Sequence, residues 1–169
     1  PGYYYRKTEA GKYSDATACG NETASEKAMM RKFIIESVLY WVKEYHIDGF
    51  RFDLMGVHDI ETMNMISAAL QKIKPGILIY GEGWTAGAST LPENKRTLKK
   101  YAAQLNNIAV FSDDLRDGIK GSVFEATERG FASGDTSKAE SIRFGIVAAT
   151  QHPQVDYKKV NYSKAPYVN

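Results

Sequence analysis

The sequence predicts an α/β fold built from parallel β/α units. Helix-sized amphipathic segments alternate with short apolar segments, and an acidic residue follows each apolar segment closely. Strand–helix–strand order favours right-handed crossovers and a parallel sheet. Three predicted strands cannot close a barrel, and an eight-stranded barrel needs roughly 250 residues. The chain is therefore expected to form either an open three-layer sheet or about half of a barrel.

A long helix is the first predicted element, after a loop-like arm over residues 1–22. Thr23 and Glu26 have the spacing of a capping box, which places the helix start at Thr23. Apolar residues then recur at intervals of three and four, which predicts one buried face. The residues of that face are Met30, Phe33, Ile34, Val38, Trp41, Val42 and Tyr45.

Strands are predicted over residues 49–52, 77–80 and 108–111. The second has no polar interruption, as expected for a strand covered on both faces, so it is predicted to be central. Asp59 is placed to cap the next helix, which ends before Pro75 and Gly76. A short exposed helix is predicted around residues 98–105 and a last helix over 141–150.

Composition excludes several classes of partner. The chain has 169 residues, 43% hydrophobic and 25% charged, with a net charge of +2. This charge is too small to favour nucleic acid or an anionic membrane. Cys19 is the single cysteine, so no internal disulfide is expected. No apolar run approaches the roughly 20 residues that span a bilayer.

The chain begins with Pro1 and carries no pattern of a secretion signal. We therefore expect it to be a piece of a longer polypeptide. The sequence does not indicate a cellular location.

Asp53 and Glu82 directly follow two consecutive apolar segments. The carboxyl ends of parallel strands meet at one edge of a sheet, where α/β enzymes keep their active sites. Cleavage of a glycosidic bond needs two carboxyl groups, one to protonate the leaving oxygen and one to meet the cation-like sugar. The two residues are therefore a candidate acid and nucleophile pair.

Five strings, which together run over most of the chain in order, resemble type I pullulanases, a branch of the alpha-amylase superfamily of glycoside hydrolases. They are PGYYYR at 1–6, CGN at 19–21, YHIDGFRFDLMG at 45–56, GEGW at 81–84 and FSDDLRDGIKG at 111–121.

The resemblance implies part of a (β/α)8 TIM-type barrel. The chain would hold roughly strands four to six with their flanking helices, truncated at both ends. It also implies that Asp53 is the nucleophile and Glu82 the general acid and base. Arg51, two residues before Asp53 and on the same side of the strand, would keep that carboxylate ionised.

The implied reaction is retaining hydrolysis of α-1,6 branch linkages in pullulan, glycogen or starch dextrins, without an organic cofactor. The partner is therefore an α-glucan. Calcium is possible in this family, but the sequence does not indicate it.

The chain also departs from the family pattern. The sugar-contacting segment after the third barrel strand and the third carboxylate after the seventh strand do not occur in it. We therefore expect the chain alone to have little or no activity and to self-associate through exposed strand edges. His58 lies one position later than the histidine of many amylases, which matches the pullulanase branch.

Arg51 and three further residues are candidates for substrate binding, each with a structural alternative. Arg51 could instead pair with a structural carboxylate such as Asp48. Trp84 could offer a flat face to a sugar or belong to the core. His58 could bind sugar or be a surface histidine, and Asn21 could contact ligand or form a turn. Two alternative functions stay open at this point: an isoamylase-like or branching enzyme of the same superfamily, and a non-catalytic carbohydrate-binding domain.

Overall fold

The computed structural model describes residues 2–168, so Pro1, which opens the first of the five strings, and Asn169 lie outside the described residues. The order of the main elements is α1, β1, α2, β2, β3, α3 and α4. The helices are α1 at Ala28–Tyr45, α2 at Ile60–Ile73, α3 at Asp113–Lys120 and α4 at Ala139–Ile146, and the strands are β1 at Gly49–Phe52, β2 at Leu78–Gly81 and β3 at Ala109–Val110. The predicted α/β class is confirmed.

The three strands form one parallel sheet in the order β1-β2-β3. Gly49 pairs with Leu78 and Phe52 with Gly81, while Gly81 also pairs with Val110 on β3. The prediction that the second strand is central is therefore confirmed.

The chain divides into two compact units, at residues 1–111 and 112–169. In the first unit, α1 and α2 pack on one face of the sheet because their apolar stripes meet alternate residues of the strands. The buried residues of this core are Val38, Val42, Met55, Met63, Ile66, Leu70, Ile77 and Ile79.

The second unit has its own small core of Phe144, Val155 and Val160. Asp114 is buried there and accepts hydrogen bonds from the backbone N–H groups of Tyr162, at 2.7 Å, and Ser163, at 3.0 Å. The helix predicted over residues 141–150 begins and ends earlier, at Ala139–Ile146. Ala148 and Ala149, with φ values of 52° and 60°, end it in the left-handed region.

The predicted start of the first helix is wrong. The helix begins at Ala28, and its N-cap residue, Lys27, makes no side-chain capping bond. Thr23 instead forms an antiparallel bridge with Tyr5. Glu26 pairs with the guanidinium of Arg6 at 2.7 Å, so the long-range ion pair has taken the carboxylate that the capping box would need.

The predicted buried face of α1 is partly wrong. Met30, Val38 and Val42 are buried, but Phe33, Trp41 and Tyr45 are exposed. The partly buried residues that complete the packing are Ile34, Ile35 and Leu39. Within residues 2–168 no helix has the length and hydropathy needed to cross a membrane.

Candidate active site

The ends of β1 and β2 place Asp53 and Glu82 side by side. The backbone N–H of Glu82 donates to the carbonyl oxygen of Phe52 at 3.0 Å, which continues the strand pairing beyond Gly81. Ile79 is buried among the helices, so by the two-residue period Tyr80 projects from the opposite face of the sheet. Its register partner Arg51 shares that face.

Arg51 links the two carboxylates. Its Nη2 lies 3.1 Å from Oε1 of Glu82 and its Nη1 lies 3.4 Å from Oδ1 of Asp53. The side chain of Asp53 is 74% exposed, whereas that of Glu82 is 17% exposed. The two acids therefore share one cation but differ in their access to water, and differing surroundings are what give paired carboxyl groups separate roles.

The second oxygen of Glu82 is held by the backbone of the loop after β1. Oε2 of Glu82 accepts a hydrogen bond from the N–H of Leu54 at 2.8 Å. The N–H of Gly56 lies 3.1 Å from the carbonyl oxygen of Glu82 and 3.2 Å from that of Trp84. A Cβ at Gly56 would lie 2.5 Å from the oxygen of Trp84, so this approach of the two loops requires glycine.

Aromatic rings border Arg51 on the same face. The guanidinium carbon lies 5.5 Å from the ring centre of Phe111, within the range of a cation–π interaction. Phe111 contacts Tyr80 edge to face, with ring centres 5.4 Å apart. Neither contact was predicted from the sequence, although the two-residue period of β2 would have placed Tyr80 beside Arg51.

His58 lies just before α2. Its ring meets Phe52 edge to face at 6.0 Å, and its Nδ1 is buried without a hydrogen-bond partner among the described residues. Burial, together with the nearby charge of Arg6, lowers the pKa of His58 to about 4, although Asp59 opposes this. His58 is therefore neutral at neutral pH, and its binding role stays a prediction.

Trp84 and Asn21 lie on different segments. Trp84 is partly buried on the loop after β2, two residues beyond Glu82. Asn21 is exposed in the N-terminal arm, where its carbonyl oxygen accepts from the Thr17 hydroxyl at 2.5 Å. Asn21 thus directly follows the turn and bends at residues 16–20 and is tied back to them by this hydrogen bond, while sugar contacts by both residues stay predictions.

A buried ion pair fastens the arm to the site and was not predicted. Arg6 is 5% exposed and lies 2.7 Å from Glu22 and from Glu26. Arg6 also donates to the carbonyl oxygen of Val57 at 3.2 Å, on the loop that begins at Asp53. Burial opposes ionisation of Glu22, but hydrogen bonds from Arg6 and neighbouring hydroxyls hold its pKa below the ordinary value. In the sequence, the feature that could have indicated this ion pair is Arg6 at the end of the first string, PGYYYR.

The part of the chain that the structure describes holds no group of three or more His, Cys, Asp or Glu side chains placed to bind a metal ion. The polar groups that the candidate active site offers for chemistry are two carboxylates, one arginine and the surrounding backbone N–H groups.

Comparison with known proteins identifies relatives, although no protein-family model matches the chain. A pullulanase of Bacillus subtilis is 42% identical over 150 residues, which are 89% of this chain and 21% of that protein. The chain thus spans about a fifth of the length of this curated relative.

Solved structures that resemble the chain are also pullulanases. A type I pullulanase from Bacillus subtilis complexed with maltose matches 99% of this chain and 22% of its own, with 40% identity and a TM-score of 0.88. A pullulanase from Paenibacillus barengoltzii in complex with maltohexaose and alpha-cyclodextrin also matches 99% of this chain, and 25% of its own, with 43% identity and a TM-score of 0.86. The chain therefore belongs to the type I pullulanases of the alpha-amylase superfamily.

Proposed function

We propose that the chain is part of the catalytic (β/α)8 barrel of an enzyme that hydrolyses α-1,6 linkages in pullulan, glycogen or starch dextrins with retention. The 169 residues would form roughly strands four to six with their flanking helices. The observation that carries the proposal is the bridge made by Arg51 between the carboxylates at the ends of two neighbouring parallel strands. Solved relatives bound to maltose and maltohexaose support an α-glucan substrate.

In this proposal Asp53 attacks the anomeric carbon while Glu82 protonates the departing oxygen. The resulting glycosyl-enzyme is then hydrolysed by a water from which Glu82 takes a proton. Retention requires the two carboxyl groups to lie about 5 to 5.5 Å apart. Asp53 is the more exposed acid, which suits attack on an incoming sugar.

The remaining polar and aromatic groups of the site bind the substrate or orient the two carboxyl groups. Arg51 holds both carboxylates through its planar fork, which suits it to recognise two oxygens at once. Trp84 offers a ring to a sugar beside the scissile bond. His58 and Asn21 are also assigned to substrate binding.

The chain alone is expected to turn over little or no dextrin. The family needs a third essential carboxylate, which the resemblance places on a barrel segment that these residues do not include. Turnover by the purified 169-residue chain at a rate near that of the complete gene product would contradict this.

The test uses the complete gene product, assayed on pullulan and on amylopectin. We expect hydrolysis of pullulan at its α-1,6 linkages, lost by about 10³-fold or more in Asp53→Asn and in Glu82→Gln. Asp48→Asn is the matched control, since Asp48 is an exposed carboxylate that pairs with Lys74.

Two other results would redirect the proposal. Debranching of amylopectin without action on pullulan would indicate an isoamylase-like enzyme. Sugar binding that survives both site substitutions, in a protein without hydrolytic activity, would indicate a carbohydrate-binding domain.

A further inference from the structure

Leu54 adopts a backbone conformation that is unfavourable for a residue with a side chain. Its φ and ψ are 41° and 48°, in the left-handed region. This region is costly for residues other than glycine, asparagine and aspartate, and it persists only where the surroundings hold it. Leu54 directly follows Asp53, so the strain lies at the candidate active site.

The left-handed turn aims the N–H of Leu54 at Glu82. That N–H lies 2.8 Å from Oε2 of Glu82, while Oε1 faces Arg51 at 3.1 Å. Both carboxylate oxygens therefore have a fixed donor. A hydrogen bond to a carboxylate is stronger than one between neutral groups, and two such bonds limit the rotamers of a side chain that is otherwise free to turn.

We propose that Leu54 is a positioning residue whose backbone N–H, set by its left-handed conformation, orients the Glu82 carboxyl group toward Asp53. The proposal rests on the proposed function for the role of Glu82. The residue that follows the nucleophile thereby holds the acid, so one short segment sets the position of both carboxyl groups.

The first test needs no activity. In the 169-residue chain labelled with ¹⁵N, the Leu54 amide proton is expected to exchange with solvent about tenfold faster or more once Glu82→Ala removes its acceptor. The amide of Val57 is the matched control, because it donates to the carbonyl oxygen of Leu54 at 2.9 Å and keeps its acceptor. Unchanged exchange at Leu54 would overturn the proposal.

The second test compares two variants in the complete gene product. Leu54→Gly keeps the N–H and accepts a positive φ, so its kcat is expected to exceed that of Leu54→Val by about tenfold or more. Leu54→Val disfavours the left-handed region, so kcat is expected to fall about tenfold or more with KM nearly unchanged. Equal kcat values in both variants would contradict the positioning role.

The two tests separate the hypotheses. A complete gene product without action on α-1,6 linkages would refute the proposed function, while amide exchange would still decide whether Leu54 holds Glu82. If Leu54→Val fails to fold, Leu54→Asn and Leu54→Ala replace it as the tolerant and intolerant pair, because asparagine adopts the left-handed region more readily than alanine.

Discussion

Arg51 is the residue on which the geometry of both carboxylates depends. Its guanidinium reaches Asp53 with one nitrogen and Glu82 with another, and its face lies near the ring of Phe111. A planar, permanently charged group is required for all three contacts at once. The arginine therefore acts as a shared counter-ion and as a spacer between two acids that would otherwise repel each other.

Replacing Arg51 by lysine tests this role. A single ammonium cannot bridge two carboxylates as a fork does, so in the complete gene product we expect Arg51→Lys to lower kcat at least about tenfold. Pullulan hydrolysis measures the effect. Arg143→Lys is the control, since Arg143 is an exposed arginine that pairs with Glu140 on α4, and a similar loss there would contradict the assigned role.

His58 is expected to make stability depend on pH. Its pKa falls from 6.5 in the unfolded chain to about 4 in the folded one, so between these pH values the unfolded state binds more protons. The free energy of unfolding therefore decreases as pH drops from about 6.5 to about 4, and it is unaffected by this group at higher pH.

Chemical denaturation of the 169-residue chain at pH 7 and pH 5 measures how the free energy of unfolding changes with pH. His58→Phe, which keeps an aromatic ring beside Phe52, is expected to remove most of it. His46→Asn is the control because His46 is exposed and left-handed at the end of α1. A pH dependence of stability that disappears in His46→Asn but persists in His58→Phe would refute this explanation.

Among the helices and strands, α2 has the clearest local sequence signal for where it begins. Asp59 is its N-cap and accepts from the N–H of Thr62 at 2.9 Å. The same buried carboxylate accepts from the Ser25 hydroxyl and pairs with Arg31 at 3.2 Å. Burial works against ionisation, but these partners hold the pKa of Asp59 below its ordinary value.

Asp59→Ala is expected to destabilise the first unit by about 2–4 kcal/mol, because it removes the cap and leaves Arg31 and Ser25 without this partner. Thermal and urea unfolding of the 169-residue chain measure the change. Asp48→Ala, which removes an exposed carboxylate from the same unit, is expected to change little. A similar loss in both variants would contradict the assignment.

The elements also show how far the sequence alone can be used. β1 and α2 lie where their apolar patterns and the Asp59 cap predicted them, since those signals are local. The start of α1 was missed because Glu26 pairs with Arg6, 20 residues away. Such long-range pairs leave no mark in local spacing.

The candidate site likewise has features that the sequence predicted and features that it did not. The approach of Asp53, Glu82 and Arg51 followed from strand ends and a two-residue period. The contribution of Leu54 did not, because a backbone N–H is present at every residue and only its direction matters. Phe111 likewise became a neighbour of Arg51 only through the pairing of β2 with β3.

At the scale of the whole molecule, apolar surface remains exposed in the first unit. Along α1 the rings of Tyr40, Trp41 and Tyr45 contact one another and stay exposed. Leu78 on β2 is also exposed. Such surface favours association, which supports the proposal that isolated copies of the chain pair.

Light scattering during size-exclusion chromatography tests this self-association. We expect a mass above the 18.9 kDa of one chain, rising with concentration. Trp41→Lys with Phe33→Lys should lower this mass if α1 takes part, and no effect would show that these two side chains do not form the contact. A constant single-chain mass would show that the chain does not pair.

Asp53 is proposed to be the nucleophile of a retaining glycosidase. The most direct measurement is peptide mass spectrometry of the complete gene product after reaction with a fluorinated maltosyl fluoride, which slows hydrolysis of a glycosyl-enzyme. We expect a sugar adduct on the carboxylate of Asp53, absent from Asp53→Asn. An adduct on a different carboxylate, or none in a protein that cleaves pullulan, would contradict it.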